Sequence, residues 1–285
     1  MSELLIVLGP TAVGKTDYSI ELALDSHSPV ISCDSRQIFK EMRIGTARPS
    51  EEQLARVKHY FIASHSITDN YTAGRYEIEA LALLEELFKT HDILVMTGGS
   101  GLYIDALCNG LDDFPDADPA LRASLIERLE KEGLASLRHE LRRLDPETAE
   151  RIDPANRQRI VRALEVCIAT GKPYSSFRSG TVKERPFTIR KIGLTRPREA
   201  LYARIDARVE QMMAEGLEGE ARSLLPYRSL PALNTVGYKE LFGYFDGEYP
   251  LEEAVRLIQR NTRHYAKKQL TYWSRDPQIS WQSLE

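Results

Sequence analysis

GPTAVGKT, from Gly9 to Thr16, is the stretch that decides how this 285-residue chain folds. It fits the phosphate-binding pattern GxxxxGK(S/T), and its surroundings fit as well. The apolar run Leu4 to Leu8 before it reads as a buried strand, and residues Lys15 to Leu24 after it read as a helix. Glycines at 9 and 14 let the backbone turn its N–H groups inward around a diphosphate. Lys15 brings a mobile positive charge, and the Thr16 hydroxyl is placed to hold a magnesium ion. A chance match in a glycine-containing turn would not carry strand and helix in this order. The loop residues Gly9, Pro10, Thr11, Ala12, Val13, Gly14, Lys15 and Thr16 are the candidate diphosphate site.

Such a loop recognises phosphates, not nucleosides, so the ligand need not be ATP. A nucleotide hydrolase usually adds an apolar strand ending in an acid that holds magnesium. Here the best later strand, Asp92 to Thr97 (DILVMT), ends in Gly98-Gly99-Ser100-Gly101. An acid does follow the short strand Val30-Ile31-Ser32-Cys33, namely Asp34. In a doubly wound sheet that position opens into the ligand crevice. It serves either the metal or a second substrate.

Alternating strand and helix signals run through the first 110 residues and predict a mostly parallel sheet covered on both faces. His59 to Ala63 is a candidate strand. A helix is expected from about Ala73 to Thr90, with Ile78, Leu81, Leu84 and Leu87 on its buried face. Near Phe114-Pro115 the pattern changes. From Asp116 to about Pro173 no convincing strand appears, and three Asp-Pro pairs (118–119, 145–146, 153–154) each set a capping acid before a first-turn proline. Leucines 121, 125 and 129 mark one helix, leucines 134, 137, 141 and 144 the next, and the third runs from Pro154 to Thr170. Strand signal returns at Phe187 to Leu194, followed by one long helix from about Arg198 to Leu225. The expected architecture is an α/β, P-loop NTPase-like core (1–113 and 186–285) carrying an all-helical insertion (114–185).

Composition narrows the class. Hydrophobic content of 42% and charged content of 28% are ordinary for a globular protein. Three scattered cysteines form no CxxC pair, and six histidines form no ligand spacing, so neither a disulfide scaffold nor a zinc site is expected. No apolar run reaches membrane-spanning length, and Met1-Ser2-Glu3 leads into the first strand without a basic segment. These features predict a soluble, cytoplasmic, unanchored chain. With no exposed heptad pattern, a monomer is expected.

The net charge of −4 hides an uneven distribution. From Arg256 to Arg275 the basic residues Arg256, Arg260, Arg263, Lys267, Lys268 and Arg275 occur without an acid. The first four follow 4-3-4 spacing along one helical face, interleaved with Tyr265, Tyr272 and Trp273. A phosphate-contacting face is expected there, testable by whether neutralising Arg256, Arg260 and Arg263 flattens the salt dependence of RNA binding. Two further polar constellations are Arg157, Gln158, Arg159 and Arg162, and Arg204, Arg208, Gln211 and Glu215; spacing alone fits solvated faces equally well.

Taken in order, the motifs resemble the bacterial tRNA dimethylallyltransferases, also called tRNA isopentenyltransferases, over nearly the whole chain. They are GPTAVGKT, Asp34-Ser35-Arg36-Gln37, Gly45-Thr46-Ala47-Arg48-Pro49, Tyr71-Thr72-Ala73-Gly74 and Gly98-Gly99-Ser100-Gly101-Leu102-Tyr103. Further along come Arg159-Ile160-Val161-Arg162-Ala163-Leu164-Glu165, Arg204-Ile205-Asp206-Ala207-Arg208-Val209, Val236-Gly237-Tyr238, Thr262-Arg263 and Tyr265-Ala266-Lys267-Lys268-Gln269. The chain departs from the family pattern at Ser100 (usually Thr), Arg48 (usually Lys) and Tyr272, where Trp is expected and Trp273 is its neighbour.

The resemblance implies transfer of a five-carbon prenyl group from dimethylallyl diphosphate to the exocyclic amine of the adenosine 3′ of the anticodon. The loop would then hold a departing diphosphate, with Lys15, magnesium on Thr16 and Arg208 stabilising its charge. Asp34 matches the general base that takes the amine proton. The adenine must be flipped out of its stack to react. Asp34, Ser35, Arg36, Gln37 and Ser100 match positions lining its pocket. Arg122, Gln158, Arg159, Ile160, Val161 and Arg162 match positions contacting tRNA from the insertion, which is expected to close on the anticodon arm. A small-metabolite kinase using ATP in the same loop is the main alternative. An RNA-binding nucleotide hydrolase and an enzyme prenylating free adenine nucleotides are the others.

Overall fold

A computed structural model of the chain describes residues 2–115 and 118–285. Met1, read as leading into the first strand, and Asp116 and Ala117, with which the strandless stretch opens, lie outside the described residues.

The apolar run ahead of the phosphate loop is β1 (Glu3–Leu8), and α1 (Lys15–Asp25) follows the loop. Next come β2 (Val30–Ser32), α2 (Glu51–Arg56), β3 (His59–Tyr60), α3 (Ala73–Leu87), β4 (Ile93–Gly98) and α4 (Gly101–Asn109). With β5 (Thr188–Thr195) and β6 (Ile279–Ser283) they form one six-stranded sheet. Its order is β3-β2-β4-β1-β5-β6, and every pair is parallel. This is the α/β architecture expected from the alternating strand and helix signals.

β1 reads as an unbroken apolar run because it is covered on both faces. Leu4, Ile6 and Leu8 pack with Leu94 and Met96 against Tyr76, Ala80 and Leu84 of α3 and Leu107 of α4. On the other face, Val7 and Val95 pack against Ile20 and Ala23 of α1 and against Leu201 and Ile205. The register then sets where the loops leave. Leu8 pairs with Gly98 of β4 and with Gly193 of β5, and Ser32 pairs with Thr97. Four parallel strands thus end at one level, and the segments after β1, β2, β4 and β5 emerge together.

The chain divides into two compact units, one formed by the sequence up to Cys108 with Glu184–Glu285, the other by Asn109–Lys183. The second contains α5 (Pro119–Glu132), α6 (Leu134–Leu144), α7 (Pro146–Arg151) and α8 (Arg157–Thr170), with no strand among its described residues. It has its own core of Leu125, Leu137, Leu141, Ile160, Val161, Leu164 and Cys167. Asp118 caps α5 by accepting the N–H groups of Ala120 and Leu121, and Asp145 caps α7 through Thr148. The third Asp-Pro pair does not start a helix as expected. Asp153 accepts from Ala155 in a turn, and α8 begins only at Arg157, capped by Asn156.

Beyond β5 lie α9 (Arg198–Ala214), α10 (Leu217–Leu224), α11 (Tyr238–Phe245) and α12 (Leu251–Trp273). The single long helix expected from Arg198 to Leu225 is therefore two, broken where Gly216 takes φ +100°. The strand expected from His59 to Ala63 stops at Tyr60, because Phe61 and Ala63 adopt positive φ. On α3 the buried stripe is Tyr76, Ala80 and Leu84, four residues apart. Ile78 is instead 72% exposed, since it lies about 200° around the helix from Tyr76. No helix among the described residues is long and apolar enough to cross a membrane.

Candidate active site

The loop from Gly9 to Thr16 packs directly on the end of β5. A Cβ on Gly9, whose φ is +151°, would fall 2.6 Å from the Leu194 carbonyl oxygen, so only glycine lets the loop approach this closely. Gly14 and Ala12 also take positive φ, curling the loop into the start of α1. Its outward carbonyls are held by cationic side chains. Lys15 Nζ donates to the carbonyls of Gly9 and Pro10, both at 2.9 Å. Arg204 donates to Ala12 and Arg196 to Val13, each at 2.9 Å. Arg208 reaches the Thr11 hydroxyl at 3.4 Å, the long end of hydrogen-bonding distance.

This clustering has electrostatic consequences. Burial lowers the Lys15 ammonium from its ordinary 10.5 to about 8, while Asp34 pulls it up and Arg208 pushes it further down. Burial likewise lowers the Arg208 guanidinium, and neighbouring Arg204 adds to the effect. Like charges gathered around one loop, half-buried at Lys15 and Arg208, make a site that a polyanion would relieve.

Across the crevice, Asp34 follows β2. Its Oδ1 accepts the backbone N–H groups of Arg36 at 2.8 Å and Gln37 at 3.3 Å, which folds Asp34–Gln37 into a tight turn. Ser35 N–H donates to the Ser100 hydroxyl at 2.9 Å, and that hydroxyl meets the Ser35 hydroxyl at 3.0 Å. Gln37 donates to the carbonyls of Thr46 and Ala47. Glu220 of α10 anchors the same segment, accepting from the N–H groups of Arg43, Ile44 and Gly45 and from the Tyr238 hydroxyl at 2.7 Å. The contiguous turn Asp34–Gln37 and the distant Ser100 form one polar rim.

Two residues of this region were given no site role from the sequence. Arg196 follows β5, and its place beside the loop depends on β5 neighbouring β1, which the sequence does not announce. Gln269 is buried in α12. Its Oε1 accepts the Thr11 N–H and its Nε2 donates to the Gly99 carbonyl, each at 2.9 Å. A Cβ on Gly99 would lie 2.6 Å from that nitrogen, so the second glycine of the Gly98-Gly99 pair makes room for it.

In the helical unit, Arg157, Gln158 and Arg159 are exposed at the start of α8. The side chains of Ile160 and Val161 belong to the hydrophobic core, so this helix end presents its polar residues instead. Arg122 and Arg162 both donate to Oε2 of buried Glu165, at 3.2 and 3.0 Å, and Arg162 also donates to the Pro115 carbonyl. On α12, the expected basic stripe is partly neutralised. Arg256 pairs with Glu253 and Arg263 with Asp206. Trp273 is core, whereas Tyr272 lies across Gly101 and its hydroxyl donates to Asp105. Among the described residues no cluster of three or more His, Cys, Asp or Glu side chains could hold a metal. Thr16 is the second residue of α1 and is half-buried.

Comparison with known proteins bears on this arrangement. A family model described as IPP transferase matches residues 37–276. The tRNA dimethylallyltransferase 2 of Parabacteroides distasonis is 53% identical over 281 residues, covering 99% of this chain and 94% of its own. A protein of the same description from Porphyromonas gingivalis is 54% identical over 278 residues, covering 98% and 93%. The crystal structure of the full-length tRNA isopentenylpyrophosphate transferase from Bacillus halodurans matches with a TM-score of 0.73 at 34% identity, covering 99% of this chain and 90% of that one. A eukaryotic dimethylallyltransferase acting on tRNA matches with a TM-score of 0.82 at 24% identity, covering 99% and 74%, and attests to the fold.

Proposed function

The chain belongs to the IPP transferase family, and from that premise we propose that it prenylates tRNA. The donor is dimethylallyl diphosphate, and the acceptor is the exocyclic amine of the adenosine 3′ of the anticodon. The observation that carries the reading is the convergence, at the carboxyl ends of parallel strands, of a cation-ringed phosphate loop and a carboxylate-centred polar turn.

In this mechanism the loop N–H groups, Lys15 and Arg208 hold the diphosphate. The C–O bond to the allylic carbon breaks, its electrons leave on the diphosphate, and the amine nitrogen bonds to that carbon. Charge growing on the leaving group meets preorganised cations that need not reorganise. The nitrogen loses its proton to Asp34, whose second carboxylate oxygen is not used by the turn. Ser35, Arg36, Gln37 and Ser100 line the pocket for the flipped base, and Arg122, Gln158, Arg159 and Arg162 contact the RNA. The Thr16 hydroxyl fits a hard, oxygen-preferring ion such as Mg2+, with the diphosphate supplying further oxygens, and the bound ion would add countercharge to the leaving group. One chain supplies the loop, Asp34 and Arg208, so the proposed site is complete within a single chain, and a monomer is the form proposed.

A small-metabolite kinase is not favoured, because the relatives that span nearly the whole chain are named tRNA dimethylallyltransferases. Incubating the protein with tRNA and labelled dimethylallyl diphosphate, then digesting the RNA to nucleosides, tests the proposal. Label in a prenylated adenosine supports it, and label confined to unreacted donor with phosphate released from ATP instead would refute it.

A further inference from the structure

We propose that Gln269 is a positioning residue that locks the donor half of the site to the acceptor half. The inference rests on the transferase reading above. Gln269 is 6% exposed, and its amide spends both ends on backbone groups of two different loops. Its oxygen takes the Thr11 N–H of the phosphate loop, and its nitrogen serves the Gly99 carbonyl. Neither group has a ladder partner at these positions, and the glycine at 99 leaves the space that the side chain needs.

The bridge extends in both directions. Thr11 also carries the hydroxyl that Arg208 reaches, so holding Thr11 fixes part of the leaving-group machinery. Gly99 precedes Ser100, whose hydroxyl holds Ser35 beside Asp34. A continuous run of hydrogen bonds and covalent links therefore joins Arg208, Thr11, Gln269, Gly99, Ser100, Ser35 and Asp34. Gln269 is its one side chain drawn from α12. Transfer requires the amine and the allylic carbon to be held in near-attack geometry, and misplacement of about 1 Å costs on the order of a hundredfold in rate.

Without the bridge, donor and acceptor are each still bound but are less well aligned. The C–O bond of the donor then breaks without the amine in place. Water bonds to the allylic carbon, a proton goes to solvent, and diphosphate leaves without RNA modification.

The test is Gln269→Met, which keeps length and apolar bulk but removes both hydrogen bonds. Diphosphate release and RNA prenylation are measured together at saturating substrates. The expected result is a kcat for prenylation down by about tenfold to a hundredfold, with KM for each substrate within about threefold. The ratio of diphosphate released to RNA prenylated should rise severalfold. A loss that only reduces the folded fraction lowers both rates equally and leaves that ratio unchanged, which overturns the proposal. If Gln269→Met does not fold, Gln269→Glu, which keeps the acceptor for Thr11 but loses the donor to Gly99, carries the same ratio test. Wild-type protein that prenylates nothing would instead indict the transferase reading itself.

Discussion

Asp34 Oδ1 accepts the Arg36 backbone N–H at 2.8 Å, so one oxygen of this carboxylate builds its own turn and the other takes no part in it. Asparagine can keep the structural half of that arrangement by offering its carbonyl oxygen to Arg36 and Gln37. It is not a base. Asp34→Asn should therefore lower kcat by about 10²- to 10⁴-fold, the usual worth of a general base, with donor affinity nearly unchanged. Single-turnover prenylation beside donor-binding calorimetry checks this. An active Asp34→Asn would remove Asp34 from the proton transfer.

Lys15 should make diphosphate binding pH-dependent. With its folded value near 8 and its ordinary value 10.5, it is charged below pH 8 and loses its proton above. Affinity for diphosphate should fall as pH rises through about 8, and binding at pH 8 to 9 should take up a proton. In the absence of ligand the sign for stability is the reverse: unfolded Lys15 holds more protons between these values, so its contribution to stability rises with pH across that window. Calorimetry in buffers of different ionisation enthalpy reads the proton uptake. Lys15→Arg should abolish the uptake.

The arginines of α8 should separate by context. Arg159 is exposed, so Arg159→Ala should reduce the salt slope of tRNA binding by about one without altering thermal stability. Arg162 is tied to buried Glu165, so Arg162→Ala should in addition lower the melting temperature. Filter binding across a salt series with parallel thermal melts distinguishes the two. Equal melting behaviour would contradict the role given to Glu165.

Glu220 holds three consecutive backbone N–H groups of the segment on which Gln37 leans. Glu220→Ala should cost about 1–3 kcal/mol, because it leaves those donors and the Tyr238 hydroxyl without their acceptor. Chemical denaturation measures the loss, and hydrogen exchange should place the first loss of protection at residues 43–47.

The strand, loop and helix around Gly9–Thr16 were legible because their signal is local. One strand, eight loop residues and one helix are contiguous, and Lys15 and Thr16 sit among them. Asp34 could be read for the same reason, as the acid at the end of a strand. What the sequence concealed depends on side chains meeting across the fold. Gln269 lies 258 residues from Thr11, and the charge pattern around it suggested an RNA-facing stripe. The partners that quench that stripe, Glu253 and Asp206, lie outside the acid-free run that suggested it. Element ends failed where one residue's backbone decides. Gly216 breaks a helix, Phe61 stops a strand, and Asn156 starts α8 later than Pro154 suggests. Ile78 shows that apolar spacing alone does not say which helical face is covered.

The intact mass of an anticodon stem-loop RNA, after incubation with the protein, magnesium and dimethylallyl diphosphate, reads the transfer itself. A second stem-loop with the target adenine replaced is treated alongside. The adenine-bearing loop should gain one prenyl unit and its partner none. No gain on either, with full-length tRNA equally unchanged, would contradict the proposed transfer.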